Sequence, residues 1–192
     1  MNTEPLSGIT KSFAGVVYTE AKKFLGCKED PKTPNRSYCI DKIQEMGGWT
    51  PTSEPWCAMF VYAVVERSCK LMKIDNLLPR TKSTTIMKNE SPDNGLKVDT
   101  KPVKGCLFYF PRTGGGHVGF VIDIKDNKIF TIEGNTSDQV KLGQRTINPS
   151  MRFIHIEDMA NGKKMIPRYL KYGVPAVLLG GIGAVYYAKK KH

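Results

Sequence analysis

At Gly105 the chain changes its hydrophobic period, and this change narrows the fold to one class. Ahead of it, apolar residues recur at helical spacing. Phe13, Val16, Val17, Phe24 and Leu25 predict a helix over residues 11–26, with Gly26 placed to end it. Tyr38–Met46 predicts a second, stopped by Gly47-Gly48. A third starts at Ser53-Glu54-Pro55 and runs to about Leu71, Ser53 being suited to cap it and Pro55 to sit in its first turn. Residues 75–104 read as loop-rich, with one short helix near Ser83–Asn89. After Gly105 the runs are short and β-branched or aromatic: Cys106–Phe110, Val118–Ile124 and Lys128–Glu133, then Val140–Leu142 and Met151–His155. Helices first and consecutive antiparallel strands second is the α+β order.

A chain of 192 residues holds one packed domain of ordinary size. Its net charge of +11 is uneven: from Lys163 onward there are seven basic residues and no acidic one, which leaves +4 on residues 1–162. The body is therefore only mildly basic, and no nucleic-acid partner is expected. Five cysteines (Cys27, Cys39, Cys57, Cys69, Cys106) are an odd number without Cys-x-x-Cys spacing, and there are three histidines. That set argues against a zinc site and, with at least one thiol left free, suits synthesis in a reducing compartment. Glu29, Asp30 and Asp41 are too sparse for a calcium loop and read as solvated, so neither metal nor cofactor is expected. Residues 1–10 lack the basic start and apolar stretch of a secretion signal, so any work outside a cell is expected to depend on another route.

The C-terminal segment differs in character. Residues 161–171 form a basic linker and 189–192 a basic tail. Between them, 172–188 carry no charge, with Tyr169 and Tyr172 at one end and Tyr186-Tyr187 at the other. A helix there would reach about 25 Å at 1.5 Å per residue, short of a hydrocarbon core of about 30 Å unless the flanking tyrosines and lysines extend it. Gly173, Pro175, Gly180, Gly181 and Gly183 suit a membrane helix better than a soluble one. The expectation is a transmembrane helix over 172–188 and a lipid membrane as partner; a core helix or a disordered tail is the alternative.

Three segments carry chemistry. In Pro55-Trp56-Cys57-Ala58-Met59-Phe60-Val61 a cysteine sits at the head of a helix, where unpaired N–H groups and the helix dipole favour a thiolate and offer an oxyanion hole. In Gly116-His117-Val118-Gly119-Phe120-Val121 a histidine opens a strand behind three glycines. Thr131-Ile132-Glu133-Gly134-Asn135 ends the next strand on a carboxylate. If Lys125-Asp126-Asn127 forms a three-residue hairpin loop, or if a bulge intervenes, His117 faces Asn135 and has Glu133 as diagonal neighbour on the same face. A two-residue loop at Asp126-Asn127 would instead flip the relative faces. Cys57, His117 and Glu133 then suit nucleophile, base and orienting group. Trp56 reads mainly as a packing residue and secondarily as a substrate platform, while Cys27, Cys39, Cys69 and Cys106 read as buried thiols and His155 as strand surface. Asp123 lies at the far end of the His117 strand.

In their order and spacing these segments resemble the CHAP family (cysteine, histidine-dependent amidohydrolase/peptidase), a branch of the papain-like NlpC-type superfamily. Ala21-Lys22-Lys23-Phe24-Leu25-Gly26, Glu29, Asn35-Arg36 and Gly47-Gly48 resemble the lead-in of phage and bacterial members. The resemblance spans roughly residues 15–155, with Gly105-Cys106 standing where members usually carry Gly-Asp. It implies a catalytic domain over 11–160 that cuts an amide bond of peptidoglycan, as an N-acetylmuramoyl-L-alanine amidase or a peptide-stem endopeptidase. Cys57 would be the nucleophile, His117 the base, Glu133 its orienting carboxylate and Asn135 a supporting polar group. Joined to the expected anchor, it implies a wall hydrolase held in a membrane, that of a phage virion before a bacterial one. A non-catalytic membrane-anchored protein on a papain-like scaffold, or a cysteine protease, is the competing reading.

Overall fold

Serines begin three of the four α-helices among the described residues. In the structure, a computed structural model that describes residues 12–161, Ser12 Oγ accepts from the Gly15 N–H at 3.1 Å and starts α1 (Phe13–Lys22). Ser37 does the same for α2 (Tyr38–Met46) through Ile40 N at 3.3 Å, and Ser83 for α4 (Thr84–Glu90) through Ile86 N at 3.2 Å. The exception is α3 (Cys57–Met72). Its N-cap is Trp56, which offers no side-chain acceptor. The sequence places this start at Ser53–Pro55, but Thr52 and Glu54 close a local turn on one another instead, and the helix begins with Cys57 as its first residue.

Among the described residues six strands follow: β1 (Val98–Asp99), β2 (Leu107–Arg112), β3 (Gly115–Lys125), β4 (Lys128–Glu133), β5 (Lys141–Thr146) and β6 (Arg152–Ile154). They form one antiparallel sheet in the order β1-β6-β2-β3-β4-β5. The α+β expectation therefore holds, although β6 inserts between β1 and β2 and the short β1 lies in the stretch read as loop. Alternate residues divide two apolar clusters. Leu107, Val118, Phe120, Ile132 and Ile154 meet the helices, while Phe108, Val121, Ile129 and Phe153 form a second cluster with Cys106 and Met151. α3 runs through the first cluster, buried on all sides from Cys57 to Val65, and packs against α1, α2 and β3.

The β3–β4 hairpin follows the two-residue alternative, Lys125 facing Lys128 across Asp126-Asn127, with Asp126 rather than Asn127 in the left-handed conformation at φ 54°. A β-bulge between Val121 and Asp123 then shifts the register, so that Val121 faces Thr131 and Phe120 faces Ile132. The bulge restores the face relation that His117 and Glu133 need.

Cys27 and Cys39, read as separate thiols, are joined by a disulfide; Cys57, Cys69 and Cys106 are free and buried. His155, read as surface, is buried between Asp99 Oδ1 at 3.0 Å and Glu157 Oε1 at 2.7 Å, because β6 is an inner strand. The expected membrane helix over 172–188 lies outside the described residues, among which no helix is long and apolar enough to cross a membrane.

Candidate active site

The missing cap on α3 leaves its first N–H groups without a side-chain acceptor, and the Cys57 sulfur sits among them. The backbone N–H groups of Ala58 and, from β3, Val118 are directed at it. β4 pairs with β3 only from Phe120 onward, so Val118 lies beyond the end of that ladder and beside the head of α3. Cys57 is 6% exposed. Burial pushes its thiol up from the ordinary value, against the pull of the Ala58 and Val118 N–H groups and of the Arg112 charge. A place at a helix head predicts a lowered thiol, but here desolvation outweighs the helix terminus.

His117 follows Gly116 on β3, where a Cβ would fall 2.4 Å from the Tyr109 ring, so only glycine fits ahead of the histidine. The imidazole is buried, with its ring centre 5.9 Å from that of Phe108. Its Nε2 lies 3.0 Å from Glu133 Oε2 and 3.0 Å from Thr136 Oγ1. An ionised carboxylate only accepts, so Nε2 carries the proton and Nδ1 is left to serve as base. Burial lowers the His117 pKa below 6.5; Glu133 opposes this, while Arg112 and Arg145 reinforce it.

Glu133 ends β4 and accepts from four side chains. Thr131 Oγ1 donates to Oε1 at 2.6 Å, Thr136 Oγ1 to Oε2 at 2.9 Å, and His117 to Oε2. Arg145 on β5 forks onto the carboxylate, with Nε donating to Oε1 at 2.8 Å and Nη2 to Oε2. Burial alone would raise this carboxyl, but the bonds from His117, Arg145 and Thr131 outweigh it and hold it well below the usual carboxylate range.

The other two site candidates lie differently. Asn135, at φ 57° in the turn after β4, directs Nδ2 to Asn35 Oδ1 at 3.2 Å rather than to His117. Thr136, one residue on, takes the supporting position. The turn itself, with Ser137 and Asp138 also at positive φ, swings Thr136 back over the ring. Trp56 is fully buried and donates from Nε1 to Glu29 Oε1 at 2.9 Å, so it presents no face to a substrate. Glu29, read as solvated, thus braces the residue ahead of Cys57 and also accepts from the Asn35 N–H at 2.6 Å. Thr136 and Arg145 escape sequence reasoning. A hydroxyl three residues after Glu133 was within view as a signal, but nothing in the order of residues marks Arg145. No group of three or more metal-ligating side chains occurs among the described residues.

Residues 49–135 match the family model of the CHAP domain. No curated protein matches the chain. Among solved structures, an N-acetylmuramoyl-L-alanine amidase from Staphylococcus aureus is similar at 20% identity and a TM-score of 0.40, over 55% of this chain and 32% of that one. The chain thus spans about a third of that protein's length.

Proposed function

On the premise that residues 49–135 carry a CHAP domain, we propose that the chain is a peptidoglycan hydrolase that cuts an amide bond with Cys57 as nucleophile. The observation that carries this reading is the buried His117–Glu133 pair beside the uncapped head of α3, where the Cys57 sulfur faces backbone N–H groups. In the proposed cycle His117 Nδ1 takes the thiol proton as sulfur adds to the amide carbonyl. The oxyanion is stabilised by N–H groups at the head of α3. The imidazolium, steadied by Glu133, then protonates the leaving amine, and water hydrolyses the thioester by the reverse proton path. Supporting a second element, membrane tethering, is the uncharged run over 172–188 with its tyrosine and lysine flanks.

The test compares the full chain with Cys57→Ala on purified peptidoglycan, following turbidity and released amino groups. Clearance by the parent and none by the variant is expected, and the mass of the fragments names the bond. A folded parent that leaves several wall types intact but digests casein would replace this reading with a protease.

A further inference from the structure

We infer that Arg145 is a positioning residue of the site: its guanidinium fork fixes the plane of the Glu133 carboxylate and balances its charge, so that His117 rests as a neutral base beside the Cys57 thiol. The inference rests on the hydrolase reading for its chemistry and on the following geometry for its substance.

Arg145 lies on β5 opposite Ile129, while Glu133 lies opposite Lys141, so the guanidinium reaches back along the strand past Gly143. The glycine makes the path: a Cβ at 143 would fall 2.7 Å from both Glu133 Oε1 and Thr131 Oγ1. The guanidinium lies 5.1 Å from the Phe108 ring centre and 6.0 Å from that of Phe110, which holds it against an aromatic wall. Its two donors reach one Glu133 oxygen each; Oε1 also accepts from Thr131, and Oε2 is shared by Thr136 and His117. A lysine could supply the charge but not the fork.

The charges act on the ring in the same direction as its burial. Arg145 and Glu133 cancel, so the buried trio is neutral when His117 is neutral and carries a net positive charge when it is not. A second cation, Arg112 at the end of β2, also disfavours a charged His117, while its pull on the Cys57 thiol is outweighed by burial. Lys141 on β5 is turned to Ser137 Oγ at 2.9 Å, and Cys57 on α3 faces the ring's strand as a thiol pushed up by burial. An uncompensated buried charge is costly, so the proton stays on sulfur until substrate arrives.

Arg145→Gln and Arg145→Lys in the full chain separate fork from charge. The His117 imidazole is titrated by NMR without substrate, and kcat and KM on peptidoglycan are followed with pH. In Arg145→Gln the His117 midpoint is expected to rise, and the acid limb of kcat/KM to move with it. In Arg145→Lys the midpoint is expected to stay near the parent's while kcat falls and KM holds. A folded Gln variant with an unmoved midpoint overturns the inference. So does a Lys variant with undiminished kcat, which decides the matter should the Gln variant not fold. A shifted midpoint in a protein whose parent cuts no peptidoglycan would overturn the hydrolase reading and leave the role of Arg145 in place.

Discussion

Glu133 is the residue on which the site depends, because it is buried at the meeting point of two strands and one turn. Replacing it with Gln keeps the shape but removes the charge that steadies the imidazolium and that Arg145 answers. Glu133→Gln should lower kcat by about 10²-fold or more, read as initial rates on peptidoglycan at saturating substrate. Gly143→Ala tests position without touching a charge. The new Cβ would displace the carboxylate, and a shift of about 1 Å can cost about 10²-fold in rate, so activity should fall far more than the melting temperature. In the proposed cycle His117 must be neutral to act, and the pH dependence follows from that. Its pKa is lowered, so kcat/KM should rise through an acid limb below pH 6.5, and a limb above that value would contradict the burial argument. At this scale the contact of His117 with Glu133 and the place of Cys57 at a helix head were legible, each residue lying at the end of a readable element. Asn135 was misplaced because one left-handed residue passes the supporting role to Thr136.

At the scale of elements, two braces hold the site's surroundings. The Cys27–Cys39 disulfide closes the loop that carries Glu29 and Asn35, which in turn hold Trp56 and Asn135. Closing a loop of about this length restricts the unfolded chain by about 3 kcal/mol. Reduction should therefore lower the unfolding free energy from denaturant melts by that order, and Cys39→Ser should reproduce the loss and make it insensitive to reductant. The second brace is His155, which ties β1 to the 3-10 turn Ile156–Asn161 through Asp99 and Glu157. Burial would lower its pKa, but the two carboxylates win and raise it above 6.5. A raised folded value means that the stabilisation is fully present below pH 6.5 and is lost as pH rises through the folded value. His155→Gln should cost about 1–3 kcal/mol in acid and less in alkali, as read by urea melts across pH. The extents of α2 and β4 were legible to the residue because their end signals are local. The start of α3 was not, since Thr52 and Glu54 bond each other and withdraw the cap that Ser53 seemed to offer.

At the scale of the whole molecule, charge and hydropathy divide the chain into a mildly basic body and a basic, uncharged-centred end. If residues 172–188 tether the protein, the full chain should float with lipid vesicles and a chain with Lys substituted at Val177 and Ile182 should not. Equal flotation of both would remove the tether from the proposal. The helical first half and the stranded second half were determined by the sequence alone, because period, capping serines and turn residues act over a few positions. Only the tertiary structure decided the partners. It set a bulge that turns His117 and Glu133 to a common face, and a pairing of β4 with β5 that brings Arg145 to the carboxylate. It also set a burial deep enough to reverse the pull of a helix terminus on the Cys57 thiol. Register and desolvation are properties of segments packed together, and no short stretch of sequence contains them.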